Sequence, residues 1–546
     1  MRRWNGWGDE TYTYPLRPEA ASYLAQVVGA GTAPTDVSLA DVVALVPPSR
    51  LRPDPLYTIE PVDRILHARG QSLPDWIALR TGAIPAFPDA VAYPTEESQI
   101  RGLIRLAAST GTRLIPYGAG SSVVGHVNVL PSDGPVLTVD MSRLNRLLSL
   151  DEVSQLATFQ AGVYGPEIES QLRARGLTLG HYPQSFELSS LGGWVVTRSN
   201  GQQSLGYGRI EAMFAGGRLE APAGTLDLPS FPASAAGPDL RELVLGSEGR
   251  LGILTQATVR VRAVPEAEEF RGVFFPDFER GQAAVREMMQ ARLPLSMLRL
   301  STAMETETTL ALAGHVRLIH YLKEFLRWRG IAEERSLLIL GATGSRASVQ
   351  FGRNQALAIA RQHGGVDTGT VFGKEWRKNR FRSPYLRNTL WEAGYALDTL
   401  ETAVCWRDIS VTIAAIESAL RLGLEDVGEK VLCFTHLSHT YPWGSNIYTT
   451  YLYRIPADGD AVESLRRWQV LKQAASRAIV QAGGTITHQH GIGIDHRPYL
   501  SAEKGPLGMS SLAKQMRVFD PQGLMNPGKL LEATGGEATE NGNVAN

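Results

Sequence analysis

Three glycine-rich stretches between residues 116 and 252 place the strongest constraint on how this chain folds. They read PYGAGSS at 116–122, PQSFELSSLGGWVVTRSNGQQSLGYG at 183–208 and GSEGRLG at 246–252. Closely spaced backbone N–H groups with few side chains in the way can cradle a pyrophosphate through amide donors. Because a long dinucleotide needs several points of close backbone approach, three such loops favour a cofactor of the size of FAD.

The first stretch lacks the two best-known phosphate-binding patterns. GAGSSVVG does not have the GxGxxG spacing of the dinucleotide fold, and no acidic residue follows at the usual distance. It also lacks the Gly-Lys-Ser/Thr ending of a P-loop. The strand and amphipathic helix read from VAYPTEESQIRGLIRLAASTG at 91–111 predict an α+β domain around the loops instead.

Changes in composition divide the chain into five segments. Proline-rich linkers over 1–85 predict an N-terminal extension, and the glycine loops lie in a predicted FAD-binding domain over 86–265. The acidic EAEE that follows marks the start of a predicted substrate domain over 266–500. A turn-rich C-terminal segment over 501–532 is expected to complete the active-site region, and 533–546 is predicted to be disordered.

The substrate domain alternates helical and strand patterns. Helical spacing of apolar residues covers 279–290, 306–329, 347–363, 410–421 and 461–482. Strand patterns lie near 295–300, 335–341, 430–436 and 446–454. This order predicts an antiparallel sheet covered on one face by helices.

Composition and charge exclude several classes of function. A formal net charge of −1 gives no support for nucleic-acid binding. No apolar run approaches the roughly 18 residues needed to span a bilayer, and MRRWNGWGDE does not resemble a secretory signal. The two cysteines, Cys405 and Cys433, fit a reducing compartment, so a cytoplasmic protein is expected. Trp4 and Trp7 leave peripheral contact with a membrane surface open.

Two histidines in THQHGIG are candidate catalytic residues. His488 and His490 are two residues apart, and alternate side chains of an extended chain lie on one side, so both imidazoles are expected to face one pocket. Imidazole changes its charge near neutral pH, which suits it to holding an anion or transferring a proton. His436 and His439 raise the alternative of a metal site, but no carboxylate partner accompanies them and no metal is predicted.

The order of these motifs resembles that of a known family of flavoproteins. The glycine-rich stretches and YGRIEAM resemble the FAD domain of the vanillyl-alcohol oxidase superfamily. RWNGWGDE, LGGWVVTRSNG, LDTLETAVCW and HQHGIG are similar to the alkyldihydroxyacetonephosphate synthase family within it, and the likeness extends from Trp4 to about Leu531. It implies an α+β fold in which a two-subdomain FAD-binding domain joins a substrate (cap) domain, and it implies a homodimer.

The resemblance also implies which residues contact FAD. The cofactor is expected to be held without a covalent bond, so His126, just beyond the first loop, is expected to be a packed or exposed histidine. The implied contacts are Pro116, Tyr117, Gly118, Ala119, Gly120, Ser121, Ser122, Pro183, Gln184, Ser185, Phe186, Glu187, Leu188, Ser189, Thr197, Arg198, Ser199, Asn200, Gly246, Ser247, Glu248, Gly249, Arg250, Leu251 and Gly252.

On the substrate side, the resemblance implies one substrate-binding and several catalytic residues. Arg387 is expected to bind a phosphate, because a planar guanidinium can form two parallel hydrogen bonds. The implied catalytic residues are Tyr448, His488, His490 and Arg299. Gln489 replaces the family's middle histidine and cannot carry a proton, which leaves the ether-forming activity open.

The implied activity is exchange of the acyl group of acyl-dihydroxyacetone phosphate for a long-chain alcohol, through an adduct at flavin N5, in ether-lipid synthesis. Tyr448 would remove a proton beside the ketone. Free tyrosine has a pKa of roughly 10, so this role requires its pKa to fall by about 3. Positive charge from His488, His490 or an arginine is expected to cause the fall, although the histidines could instead hold the phosphate.

Two other interpretations stand beside this one. A flavin dehydrogenase of D-2-hydroxy acids shares the FAD domain and the closing FDPQGLMNPGK. Such proteins carry a metal-binding HxGDGNxH strand and EHGIG, whereas this chain has Tyr448 at the second ligand position and Gln489 in place of the glutamate. The other is a flavin-binding protein that has lost catalysis.

Overall fold

The computed structural model of the chain describes residues 2–313, 316–457 and 459–532, so the predicted disorder of 533–546 lies outside the described residues. Leu24 and Val28, in the first helix, pack against the substrate domain, while the first strand pairs with the FAD-binding domain. The N-terminal extension thus contacts both domains. Its elements are α1 Pro18–Val28, α2 Leu39–Leu45, β1 Tyr57–Thr58, α3 Pro61–Leu66 and α4 Leu73–Thr81.

The FAD-binding domain has two subdomains, each built on its own sheet. The first contains β2 Ala90–Ala92, α5 Glu97–Thr110, β3 Arg113–Tyr117 and β4 Val136–Asp140. Its sheet has the order β1-β2-β4-β3, with β4 parallel to β2 and β3. The apolar residues of α5 recur at helical spacing and are buried in the core of this subdomain.

The second subdomain carries a five-stranded antiparallel sheet. Its elements are β5 Leu147–Asp151, β6 Leu156–Gln160, α6 Gly165–Arg173, β7 Leu177–Thr178, α7 Leu191–Thr197, α8 Ser204–Tyr207, α9 Ile210–Met213, β8 Phe214–Ala221, β9 Gly224–Leu228, α10 Arg241–Val244, β10 Ile253–Arg260 and β11 Arg262–Ala263. The strand order is β5-β6-β10-β8-β9, and β11 pairs with β7. Burial alternates along the second half of β10.

The substrate domain is built on one large antiparallel sheet. Its elements are β12 Ala267–Phe275, α11 Phe278–Gln290, β13 Met297–Ser301, α12 Ala303–Ala313, α13 Val316–Trp328, β14 Ser336–Gly344, α14 Arg346–Gln362, β15 Val366–Asp367, α15 Val371–Asn379, α16 Leu386–Glu392, β16 Tyr395–Cys405, α17 Ile409–Leu422, β17 Leu432–Leu437, β18 Thr440–Tyr441, β19 Gly444–Arg454 and α18 Ala461–Gln481. The strand order is β15-β12-β14-β13-β17-β19-β16, and β18 pairs with β19. Together with the FAD-binding domain, this sheet confirms the predicted α+β fold.

Helices cover this sheet differently from the prediction. One face packs on α11, α14 and α17, as expected. The other face is also covered at its ends, by α13 and α15 at one end and by α1 and α16 at the other. The strand β16 is absent from the sequence prediction because its buried Asp398 and Glu401 interrupt the apolar alternation. The last three residues of EAEE begin β12, the first strand of the substrate domain.

The C-terminal segment returns to the FAD-binding domain. After α19 Leu500–Phe519, which is kinked at Gly505, the backbone N–H of Leu114 in β3 donates to the carbonyl of Leu524. The side-chain amide of Asn526 then donates to the carbonyls of His126 and Glu248. The segment therefore ties together two loops that lie far apart in the sequence.

Candidate active site

A cavity of about 630 Å³ lies between the glycine-rich loops and the substrate-domain sheet. On one side it is bordered by the loop after β3, the residues around α7 and the loop before β10. On the other side, alternate strand residues such as Arg299, Thr399, His436 and Tyr448 border it. Tyr448 pairs across the sheet with His436 and with Glu401, so the strand register gathers distant parts of the sequence.

The first glycine-rich loop fits a backbone cradle for the phosphates of FAD. A Cβ on Gly118 would collide with Ser190 Oγ, and Gly120 has φ +71° with the Tyr117 hydroxyl where its Cβ would stand. Gly249, at φ +75°, lies against Pro116, so the first and third loops are in contact. Only glycine allows this approach, which leaves the loop amides unobstructed by side chains.

The predicted FAD contacts divide into two groups. Those that border the cavity are Pro116, Tyr117, Gly118, Ala119, Gly120, Ser121, Ser122, Pro183, Gln184, Ser185, Ser189, Thr197, Ser199, Asn200, Glu248, Gly249 and Gly252. Those that do not border it are Phe186, Glu187, Leu188, Arg198, Gly246, Ser247, Arg250 and Leu251. Phe186 stacks on Phe381, and Arg198 donates to Glu242 at 2.5 Å. These two side chains are engaged in packing and ion pairing.

Tyr448 and His490 meet at the cavity, but His488 does not. The ring centroids of Tyr448 and His490 are 5.5 Å apart, with the ring planes at 84°. His488 stacks on His439 at 5.1 Å and has its Nε2 2.7 Å from the hydroxyl oxygen of Tyr441. The expectation that both imidazoles face one pocket is wrong, because residues 484–492 form a bent loop rather than a strand.

Glu401 is the main site residue that the sequence reasoning missed. Its carboxylate is fully buried and accepts the backbone N–H groups of Gln489 and His490 at 2.5 and 2.6 Å. The side chain of Thr487 also donates to it, at 3.2 Å. The sequence signal that could have revealed it is a glutamate at an inward-facing position of a buried strand. An unpaired buried carboxylate is costly, so such a residue is expected to have partners.

Arg299, which borders the cavity, pairs with a second buried carboxylate, Glu305. It donates to Glu305 at 2.5 Å, and Nδ1 of His436 lies 3.0 Å from the same carboxylate. Burial alone would raise the pKa of Glu305, but His436 and Arg299 hold it below its usual value. His436 in turn stacks on Tyr448 at 5.0 Å, so Arg299 supports the tyrosine from behind the ring of His436.

The pKa of Tyr448 is raised in the folded protein, which is the opposite of the expected fall. Burial raises the pKa of Tyr448, and the carboxylates of Glu401 and Asp398 raise it further. The hydrogen bond with Thr399 lowers the pKa but does not offset these effects. Burial also lowers the pKa of both His488 and His490, so the imidazoles are neutral and supply no positive charge. Tyr448 therefore enters the site as a protonated hydrogen-bond donor.

Arg387 borders the cavity and has N–H donors available for a ligand. Its guanidinium lies over the ring of Trp76 at 4.4 Å, and one N–H donates to the carbonyl of Gln71. The atoms Nε and Nη2 are buried and have no hydrogen-bond partner among the described residues. A stacked guanidinium with a free edge suits a phosphate or a carboxylate.

The two histidines weighed as metal ligands face different partners. His436 faces Glu305, whereas Nδ1 of His439 lies 3.2 Å from the hydroxyl of Ser204. Across the described residues, no group of three or more His, Cys, Asp or Glu side chains could hold a metal ion.

Comparison with known proteins identifies the family. Residues 88–227 match the FAD binding domain family, and residues 264–530 match the C-terminal domain of FAD linked oxidases. An alkyldihydroxyacetonephosphate synthase of Dictyostelium discoideum is 31% identical over 498 residues, which cover 89% of this chain and 79% of the relative. The chain belongs to the alkyldihydroxyacetonephosphate synthase family.

Structural comparison agrees with this membership of the synthase family. A solved alkyldihydroxyacetonephosphate synthase superposes with a TM-score of 0.82 at 26% identity, covering 96% of this chain and 97% of the other. A mitochondrial D-lactate dehydrogenase (cytochrome) of Arabidopsis thaliana is less similar, at 24% identity over 81% of this chain and 73% of its own length. FAD is the cofactor of this family, and the glycine-rich loops are the residues that would hold it.

Proposed function

We propose that this protein exchanges the acyl group of acyl-dihydroxyacetone phosphate for a long-chain alcohol. One observation carries the proposal: Tyr448, His490 and Arg387, from three distant segments, border the same cavity as the glycine-rich loops. In that cavity, Arg387 supplies a guanidinium that can bind a phosphate, Tyr448 supplies a hydroxyl donor and His490 supplies a neutral imidazole. Membership of the synthase family supplies the reaction class.

Each side chain has a distinct part in this reaction. When bound, FAD supplies the ring at which the exchange takes place. Arg387 binds the phosphate through its free N–H groups, which fixes the substrate's reacting carbons relative to the loops. Tyr448 donates a hydrogen bond to a substrate oxygen, and His490 accepts a proton.

Apolar residues of the cavity fit the long alkyl chain. Met297, Leu386, Leu397 and Phe434 all border the cavity. Burial of an alkyl chain contributes about 0.8 kcal/mol of binding free energy for each methylene group.

Gln489 also borders the cavity. Its side chain is neutral, so this middle position of the histidine run can form hydrogen bonds but cannot transfer a proton.

We propose that FAD is held without a covalent bond. Nδ1 of His126 lies 2.9 Å from Ser122 Oγ, and Nε2 faces Glu248 Oε1 at 3.1 Å without a hydrogen bond, so both nitrogens face protein groups. Acid precipitation of the purified protein should release the yellow colour into solution. Colour retained in the pellet would contradict the proposal.

Anaerobic mixing with two substrates tests the proposed activity. Acyl-dihydroxyacetone phosphate with a long-chain alcohol should release fatty acid and form the ether without lasting bleaching of the flavin absorbance. D-lactate should leave the spectrum unchanged. Bleaching by D-lactate without fatty-acid release would instead indicate the dehydrogenase.

We further propose peripheral contact with an anionic membrane surface through α13. Leu318, Tyr321, Phe325 and Trp328 are exposed large apolar side chains on one face of this helix. The exposed Arg317 supplies positive charge beside them. No described helix is long and apolar enough to cross a membrane. Co-sedimentation with anionic but not neutral vesicles, lost on Trp328→Glu, is expected.

Location and assembly complete the proposal. We place the protein in the cytoplasm, where the free thiols of Cys405 and Cys433 would stay reduced. The homodimer remains a prediction of the family resemblance, and light scattering of the purified protein measures it directly.

A further inference from the structure

In the part of the chain that the structure describes, three buried polar atoms without a hydrogen-bond partner converge beside the cavity. They are Oε2 of Glu401, Nδ1 of His488 and Nδ1 of His490. The carboxylate lies between the two rings, with one oxygen 3.8 Å from Nδ1 of His488 and the other 3.9 Å from Nδ1 of His490. Because Oε1 also accepts two backbone N–H groups of the loop, the carboxylate is fixed relative to both imidazoles.

The contacts of His488 show which of its nitrogens carries the proton. Arg209 lies 3.4 Å from Nε2 of His488, and the hydroxyl oxygen of Tyr441 lies 2.7 Å from the same nitrogen. A guanidinium can only donate, so Nε2 is an acceptor. The proton of the neutral ring therefore resides on Nδ1, which faces Glu401.

The same carboxylate faces the corresponding nitrogen of His490. A negative charge beside Nδ1 favours the tautomer that carries its proton there, which leaves a lone pair on Nε2 at the opposite edge of the ring. His490 borders the cavity next to Tyr448, so that lone pair belongs to the reacting side of the ring.

We propose that Glu401 is a positioning residue that holds His490 with Nε2 unprotonated, so that Nε2 can accept the proton of the incoming alcohol. The inference rests on the proposed function. In that exchange the carbon–oxygen bond to the acyl group breaks and a carbon–oxygen bond to the alcohol forms. The products are an ether, a carboxylate and one proton, and no net oxidation occurs.

The charges around His490 are consistent with a neutral ring. The titratable and charged groups that face it are Glu401 and Asp398 from β16, Lys472 from α18, Tyr448 from β19, and His126. Burial lowers the pKa of His490, and Lys472 and His126 add to this effect, against the two carboxylates. Since the ring holds a single proton, the nitrogen that carries it decides whether the ring can act as a base.

Nitrogen NMR of the wild-type holoenzyme tests the tautomer without any turnover. Protein labelled with ¹⁵N only at histidine, with His490 assigned by its loss in His490→Gln, should show Nδ1 protonated and Nε2 unprotonated. A proton on Nε2 of His490 would overturn the proposal whatever the activity. The readout does not depend on the substrate, so it is separate from failure of the proposed function.

Glu401→Gln removes the charge while keeping the size and one acceptor oxygen. We expect His490 to shift toward the Nε2-protonated form and kcat to fall about 100-fold, the usual size of a general-base contribution. KM should change by less than about threefold, since the interaction assists proton transfer and not ground-state binding. The acid limb of the pH profile should move to lower pH, because loss of the carboxylate lowers the pKa of the imidazole.

Glu417→Gln is the matched control. Glu417 is also a buried carboxylate beside this sheet, but it accepts from Thr435 on the opposite face. Its variant should keep the tautomer and the pH profile. Glu401→Asp should restore most of the loss seen in Glu401→Gln. Unchanged tautomer and kcat in Glu401→Gln, or equal losses in the Gln and Asp variants, would assign Glu401 to folding alone.

Discussion

Replacement of Arg387 by alanine removes the group proposed to bind the substrate phosphate. The guanidinium lies 4.4 Å over Trp76, and its Nε and Nη2 have no hydrogen-bond partner within residues 2–313, 316–457 and 459–532. Truncating one partner of a buried charge pair costs about 2–5 kcal/mol. At about 1.4 kcal/mol per tenfold change, the apparent affinity for acyl-dihydroxyacetone phosphate should fall roughly 30- to 4000-fold. Arg387→Lys keeps the charge but not the planar geometry, so it should fall between wild type and alanine.

The assay is a titration of substrate against FAD absorbance or fatty-acid release, with thermal unfolding measured in parallel. Arg80→Ala is the matched control, because Arg80 also lies over Trp76, at 5.0 Å, but pairs with Asp36 and does not border the cavity. It should lower stability through the loss of stacking and of the ion pair while leaving substrate affinity unchanged. Equal affinity losses in the two alanine variants, or none in Arg387→Ala, would refute the assigned role.

Three further predictions address the tyrosine, the cofactor loop and a buried acid. Tyr448→Phe should lower kcat about 100-fold with FAD still bound, measured by fatty-acid release, because it removes only the hydroxyl donor. Gly118→Val should abolish copurification of FAD, because the added side chain collides with Ser190; normal flavin content would contradict the cradle. Burial raises the pKa of Asp495 to about 7. Since the folded state binds this proton more tightly than the unfolded state, the contribution of Asp495 to stability should decline from about pH 4 to pH 7 and level off above. Asp495→Asn should therefore gain stability relative to wild type as the pH rises from about 4 to 7, measured by denaturant titrations at several pH values.

The α+β fold, the FAD loops and most helices could be read from residue order, because each depends on local requirements. Gly118 and Gly120 sit where a side chain does not fit, and helical spacing of apolar residues predicted α11, α14, α17 and α18 to within a few residues. The partners of single side chains could not be read in this way. Glu401 was missed, and His488 was placed in the cavity, because a spacing of two predicts a shared face only if the segment is a strand.

The family, the cofactor and several polar residues of the cavity, among them Tyr448, His490 and Arg387, could be inferred from the amino-acid order because they lie in recognisable motifs. The protonation of those residues was decided by the folded chain. Sheet register sets Glu401 against Tyr448, burial keeps the tyrosine protonated and the imidazoles neutral, and the bend at 486–490 turns His488 away from the cavity. Charge and desolvation act through space over a few ångströms, so they depend on neighbours that are tens to hundreds of residues apart in the sequence.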